Sequence, residues 1–116
     1  MTTDELKART KSFALRVTRL VDALPNTVKG RAIANQIMHS ASSVAANYRA
    51  ACRAQSQAHF ISKLSIVEEE ADESMYWLEL LAEMGFRDDA ELHRLHAEAD
   101  EIVAIMVSSK KTARRP

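Results

Sequence analysis

Residues 32–48 read AIANQIMHSASSVAANY, and this stretch decides the fold. Its core-type residues follow one another at steps of three and four, which places them on one face of a helix. They are Ile33, Ile37, Ala41, Val44 and Tyr48. No Lys, Arg, Asp or Glu occurs between Arg31 and Arg49, and small residues fill most other positions. A helix that is neutral on every face normally has neighbours on every face, so we expect this helix inside an assembly.

The same spacing predicts helices on both sides of this stretch. The predicted helices span about residues 3–24, 28–53, 56–84 and 88–109. Only two glycines and two prolines interrupt the 116 residues, and strong helix formers abound. Short connections between four amphipathic helices favour an all-α, up-down-up-down four-helix bundle over residues 1–109. Residues 110–116 are expected to form a frayed basic tail.

The predicted helix ends carry recognisable capping residues. Thr2 and Glu5 stand three apart as a capping box, and Thr27 is suited to begin the second helix. Gly85 is suited to end the third helix in a left-handed conformation. Asp88 is the expected N-cap of the fourth helix.

Charge is segregated along the chain although the formal net charge is zero. Residues 1–54 contain nine basic and three acidic residues, whereas residues 55–106 contain three basic and thirteen acidic ones. The last ten residues add four basic residues and no acid. The basic first half and the basic last ten residues together predict contact with a polyanion such as RNA. The candidate nucleic-acid contacts are Arg49, Arg53, Lys110, Lys111, Arg114 and Arg115.

The sequence favours a cytoplasmic protein without a membrane span. The single cysteine, Cys52, cannot close an intramolecular disulfide, and the first residues lack the basic-then-apolar pattern of a secretory signal. The longest uncharged stretch, residues 32–48, is too polar to cross a bilayer.

The side chains that could bind a metal or act as a nucleophile do not combine into a catalytic motif. A di-iron bundle needs Glu-x-x-His pairs, and none occurs. His93 and His96, with Asp89, could share a metal, and Cys52 could act as a nucleophile beside Arg49. Surface histidines and a small packing cysteine are the favoured interpretations of these residues. We therefore expect a non-enzymatic protein without a metal or cofactor.

Two features favour self-association. Asn47 falls in the most apolar helix, where a buried amide could fix the register between helices or subunits, although an exposed Asn47 is the simpler alternative. An apolar strip lies beside the main stripe of the third helix and is either part of a thick core or a subunit contact. The strip consists of Tyr76, Trp77, Leu80 and Met84, which with Asn47 form the candidate subunit interface.

Several segments of the second and third helices resemble one known family. They are QIMHSASSVAAN at 36–47, FISKL at 60–64, EEADES at 69–74 and WLELL at 77–81. They resemble the four-helix-bundle proteins encoded by intervening sequences in bacterial large-subunit (23S) ribosomal RNA genes, over about residues 10–108. The resemblance implies a homopentameric ring and no established enzymatic activity.

The family is also similar to the accessory variability protein of diversity-generating retroelements, which is a basic pentameric barrel. That similarity implies RNA or a reverse-transcriptase-like protein as a partner. This sequence departs from the commonest family pattern at Tyr48 to Ala51 and at His59, and the first departure adds the positive charge of Arg49. The leading hypothesis is a homo-oligomeric scaffold that binds RNA or a nucleic-acid-processing partner. The alternative is a purely structural oligomer with no nucleic-acid role, which the overall neutrality and the acidic third helix favour.

Overall fold

The computed structural model describes all residues from 1 to 116, and it contains four α-helices and no strand. The helices are α1 (Thr3–Asp22), α2 (Val28–Ala51), α3 (Gln57–Glu83) and α4 (Ala90–Ala113). The predicted all-α four-helix architecture is confirmed, and the helix bounds agree with the sequence to within a few residues except at the C-terminus. No helix is long and apolar enough to cross a membrane.

Ion pairs and hydrogen bonds between helices define an antiparallel bundle about 50 Å long and 20 Å wide. Arg9 and Arg16 of α1 bond to Glu98 and Glu91 of α4, so residue numbers rise along one helix while they fall along the other. Each helix contacts its neighbours in chain order, and α1 meets α4 over the least extensive of the four interfaces.

The predicted apolar stripes form one core of twenty buried residues. In α2 the stripe from Ile33 to Ala51 is buried throughout. In α4 the apolar residues at alternating three- and four-residue steps are all buried, and they are Leu92, Leu95, Ala99, Ile102 and Met106. Phe13 is the bulkiest fully buried side chain, so the core is aliphatic apart from Phe13 and Tyr48. Burial of such side chains is the main favourable contribution to folding.

A hydroxyl pair provides the buried polar contact between α2 and α3. Ser40 Oγ and Ser74 Oγ lie 2.9 Å apart, and both residues are fully buried. Ser74 also donates to the carbonyl of Glu70, one turn earlier. Because the contact between the two hydroxyls forms only when these two helices are in register, the pair favours one alignment of α2 on α3.

The helix ends follow the predicted capping chemistry with one correction. Thr2 and Glu5 form the reciprocal capping box, and the Thr27 side chain accepts from the amide of Gly30. Gly85 follows α3 with a φ of 73°, as expected for a left-handed terminator. Asp89 caps α4 by accepting from the Leu92 amide. The prediction of Asp88 as the cap is wrong, because that carboxylate bonds to His93.

The narrow α1–α4 interface is closed by bidentate ion pairs. Arg9 donates to both Glu98 carboxylate oxygens at 2.6 and 2.7 Å and also reaches Glu101 at 3.0 Å. Arg16 holds Glu91 in the same way, at 3.3 and 2.8 Å, and keeps the pKa of the Glu91 carboxyl below its usual range. These pairs neutralise two cations of the basic N-terminal half, so its surface is less positive than its sequence indicates.

Candidate nucleic-acid and subunit-contact surfaces

The antiparallel arrangement brings most of the predicted RNA contacts to one end of the bundle. A cavity of about 620 Å³ opens at this end and is lined from all four helices, by Leu6, Tyr48, Phe60 and Ile105 among others. The last turns of α2 and α4 therefore lie together with the first turns of α1 and α3. We call this the cationic end because Arg49, Arg53 and the C-terminal cations all belong to those last turns or to the residues that follow them.

Lys110 differs from the other predicted contacts because it packs against α3. Helix α4 continues to Ala113, so the frayed tail expected from residue 110 is helical over its first four residues. The Lys110 ammonium lies 2.8 Å from Glu68 Oε1 and donates to Ser65 Oγ at 3.2 Å, and its side chain is only 15 % exposed. Lys110 therefore joins α4 to α3 through an ion pair. It is not one of the free cations that could contact RNA.

The other five predicted contacts are exposed and take part in no ion pair. They are Arg49, Arg53, Lys111, Arg114 and Arg115. Exposed cations without an internal partner remain available for phosphate groups.

Tyr48 and Cys52 lie just inside the cationic end. Tyr48 is buried, and that burial, together with the nearby Cys52, raises the pKa of the Tyr48 phenol to about 12. Cys52 is half-buried and packs against the core, which agrees with its interpretation as a packing residue.

The apolar strip of α3 is divided by the structure into a buried part and an exposed part. Trp77, Leu80 and Met84 are half-buried and pack against the core. Tyr76 is 54 % exposed and sets its ring edge-on to Trp77, with centroids 5.0 Å apart. The indole N–H of Trp77 is buried without a hydrogen-bond partner. Tyr76 is thus the one residue of this strip that presents a large exposed surface to a second molecule.

Asn47 bonds within its own helix. Its amide donates to the carbonyl of Ser43 at 2.9 Å and to Ser43 Oγ at 2.8 Å, and the residue is half-buried. The hypothesis that Asn47 sets register between helices of one chain is therefore wrong. The buried polar contact between α2 and α3 is made by Ser40 and Ser74 instead. A contact of Asn47 with another subunit stays a prediction.

The histidines considered as metal ligands bond to different carboxylates. His93 Nε2 lies beside Asp88 Oδ1, and His96 Nε2 lies 2.7 Å from Glu79 Oε2. Asp89 is occupied by the α4 cap and by Arg87, whose guanidinium holds the pKa of the Asp89 carboxyl below its usual range. No group of three or more His, Cys, Asp or Glu residues is arranged to hold a metal ion.

The outer face of α2 is uncharged and exposed. Its exposed residues are Ala32, Asn35, Gln36, His39, Ser42 and Ala46. The other helices of the same chain do not cover these residues. The neighbours that the sequence predicts on every side of α2 are therefore not all supplied by one chain.

The structure contains a groove between α1 and α2 that the sequence pattern did not predict. It has a volume of about 450 Å³ and is lined by Ala8, Ala14, Ser42, Ala45 and Ala46, with Lys7, Lys11 and Arg49 at its edges. We call it the α1–α2 groove. The four-residue spacing of Lys7 and Lys11 was visible in the sequence, but the opposing alanines of α2 are brought to it only by the pairing of the two helices.

Comparisons with known proteins agree with this architecture. The family model described as 23S rRNA-intervening sequence protein matches residues 4–108. No curated protein matches the chain. A crystal structure of a protein with unknown function from the S23 ribosomal protein family, from Bacteroides thetaiotaomicron VPI-5482, superimposes with a TM-score of 0.85 at 36 % sequence identity. The alignment covers 91 % of this chain and 98 % of that one. The chain belongs to the family of 23S rRNA-intervening sequence proteins.

Proposed function

We propose that this protein is a non-enzymatic, homo-oligomeric helical scaffold that binds RNA through its cationic end. The observation that carries the proposal is the group of five exposed cations at that end, none of which has an internal carboxylate partner. Counterion release from RNA phosphates on binding to such a surface is favourable and independent of sequence. RNA is the polyanion that we favour because the family is named for its association with ribosomal RNA genes.

Self-association is the second part of the proposal. The uncharged outer face of α2 and the exposed Tyr76 on α3 are surfaces that a single chain leaves uncovered. The family resemblance favours five subunits in a ring. A ring repeats the cationic end once per subunit, which raises the local positive potential and strengthens RNA binding through several simultaneous contacts.

A purely structural oligomer is the competing function, and the acidic outer face of α3 favours it. Glu69, Asp72, Glu79 and Glu83 are exposed on that face and repel phosphate. The two functions differ in one measurable property, which is the dependence of RNA affinity on salt concentration and on the cationic end.

The test is a titration of a labelled RNA at several salt concentrations with a variant of the cationic end. The variant carries Gln at Arg53, Lys111, Arg114 and Arg115. Arg49 is left in place because it also lines the α1–α2 groove. Each lost phosphate contact reduces the slope of log affinity against log salt by about 0.7, so up to four lost contacts reduce it by up to about 2.8.

A matched variant at the opposite end serves as the control. It carries Gln at Arg19, Lys29, Arg31 and Arg94, which are all exposed. We expect this control to bind RNA with a slope close to that of the unmodified protein. Equal losses in both variants would overturn the cationic end as the binding surface. No salt-dependent binding by the unmodified protein would leave the purely structural function.

A further inference from the structure

The acidic outer face of α3 forms a straight ridge with one aromatic residue at its middle. Its members recur at steps of three and four, so they lie in one row, and all of them are exposed. They are Glu69, Asp72, Tyr76, Glu79 and Glu83, which we call the α3 ridge. No Lys or Arg occurs between Lys63 and Arg87, so no basic residue within this part of α3 neutralises the ridge carboxylates.

The Tyr76 side chain is exposed on this ridge, and the ring of Trp77 supports it from below. Its ring stands at 71° to the ring of Trp77, which itself packs against the core. A half-exposed aromatic side chain on a rigid base loses little conformational entropy when it enters a pocket, and tyrosine is enriched at the centre of protein interfaces. Tyr76 therefore has the properties of an anchor residue.

The α1–α2 groove has the opposite shape and the opposite charge. Its floor is made of alanines and a serine, so a bulky side chain can approach the helix backbones. Lys11 and Arg49 at its edges have no carboxylate partner in the chain, and Lys7 has only the exposed Asp4 at 3.5 Å. A groove of this kind accepts an acidic ridge with an apolar centre.

The groove and the ridge cannot meet within one chain because they lie on different helices of the same rigid bundle. α1 makes no direct interface with α3, and the ridge lies on the exposed side of α3, where Glu79 is joined to α4 through His96. Two ridges also cannot pair with one another, because like charges would oppose across that contact. The complementary surface available to each is carried by a second copy.

We propose that the α3 ridge of one copy docks into the α1–α2 groove of a second copy, with Tyr76 seated among the groove alanines. The groove cations then face the ridge carboxylates. Such a contact joins two different surfaces, so an open chain of copies keeps one free groove at one end and one free ridge at the other until it closes into a ring. This inference rests on the proposed self-association and assigns the surfaces that produce it.

Charge reversal of each surface tests the assignment by light scattering. The groove variant is Lys7→Glu with Lys11→Glu, and the ridge variant is Glu69→Lys with Asp72→Lys. We expect each variant alone to associate at least about tenfold more weakly than the unmodified protein, because like charges then face each other. An equimolar mixture of the two variants should associate again, because every contact between a groove variant and a ridge variant has opposite charges. Since two variants cannot alternate around a ring of five, we expect even-numbered or open assemblies in the mixture.

The controls separate this contact from a general effect of charge and from the proposed assembly itself. Lys29→Glu and Asp100→Lys change exposed residues outside both surfaces and should leave the mass unchanged. Tyr76→Ser should weaken association without any change of charge, while the helical circular dichroism stays the same. A mass of 13.0 kDa for the unmodified protein would overturn the proposed self-association. An oligomer that survives both charge reversals, or a mixture that associates no more strongly than either variant alone, would overturn the groove and ridge assignment alone.

Discussion

Replacing Gly30 by alanine should destabilise the protein by about 2 to 4 kcal/mol, although alanine is normally the better helix residue by about 1 kcal/mol. Gly30 lies in the first turn of α2, where the preceding loop crosses over it. A Cβ at this position would lie 2.0 Å from the carbonyl oxygen of Pro25 and 3.2 Å from Thr27 Oγ1. Because the nearest obstacle is backbone, the loop and the start of α2 must move apart.

Urea unfolding of Gly30→Ala measures this effect, and Gly85→Ala is the control. Gly85 has a φ of 73° but open space around the position of a Cβ. The control therefore loses only the left-handed backbone preference, about 1 to 2 kcal/mol. A Gly30→Ala protein as stable as the unmodified one would show that Pro25 does not pack over α2.

Reversing the charge of Glu98 to Lys should cost about 2 to 4 kcal/mol of unfolding free energy, at the level expected for breaking a partly buried ion pair. Glu98 accepts both bonds of the Arg9 guanidinium and its side chain is only 15 % exposed. A lysine there would face Arg9 at the least extensive interface of the bundle. Thermal or chemical unfolding followed by circular dichroism measures the loss.

Glu101→Lys provides the matched control for Glu98→Lys. Glu101 also reaches Arg9, but its side chain is 67 % exposed, so solvent screens the interaction. We expect a change below about 1 kcal/mol for Glu101→Lys. If the two reversals have equal effects, the Arg9–Glu98 pair does not hold α1 against α4.

Helical periodicity made the fold predictable because each helix buries one stripe. Ile37 and Val44 of α2 and Leu95 and Ile102 of α4 are fully buried where the three- and four-residue steps predicted. Thr2, Thr27 and Gly85 were predictable as helix ends because their chemistry acts within one turn.

Features that depend on a second helix were not predictable from spacing. Lys110 looked like a tail residue until α3 supplied Glu68 and Ser65 as partners. The spacing left Trp77 either in a thick core or in a subunit contact, and the structure shows that it is half-buried against the core. The α1–α2 groove exists only because Ala45 and Ala46 oppose Lys11, a pairing that the sequence of neither helix encodes by itself.

The candidate RNA contacts were predictable as residues but not as a group. Arg53 and Arg115 are far apart in the chain, and only the antiparallel return of α4 brings their helix ends to the same end of the bundle. Charge counting over the basic half also overestimated the free positive charge, because Arg9 and Arg16 are consumed by the α1–α4 ion pairs.

The mass of the untagged protein in solution, measured by light scattering at micromolar concentration, decides whether the scaffold exists. One chain has a mass of 13.0 kDa, so five copies have a mass of about 65 kDa. We expect association because the outer face of α2 and the α3 ridge are uncovered in one chain, and the family resemblance favours five copies. A dimeric mass would contradict the ring, and a mass of 13.0 kDa would contradict the homo-oligomeric scaffold itself.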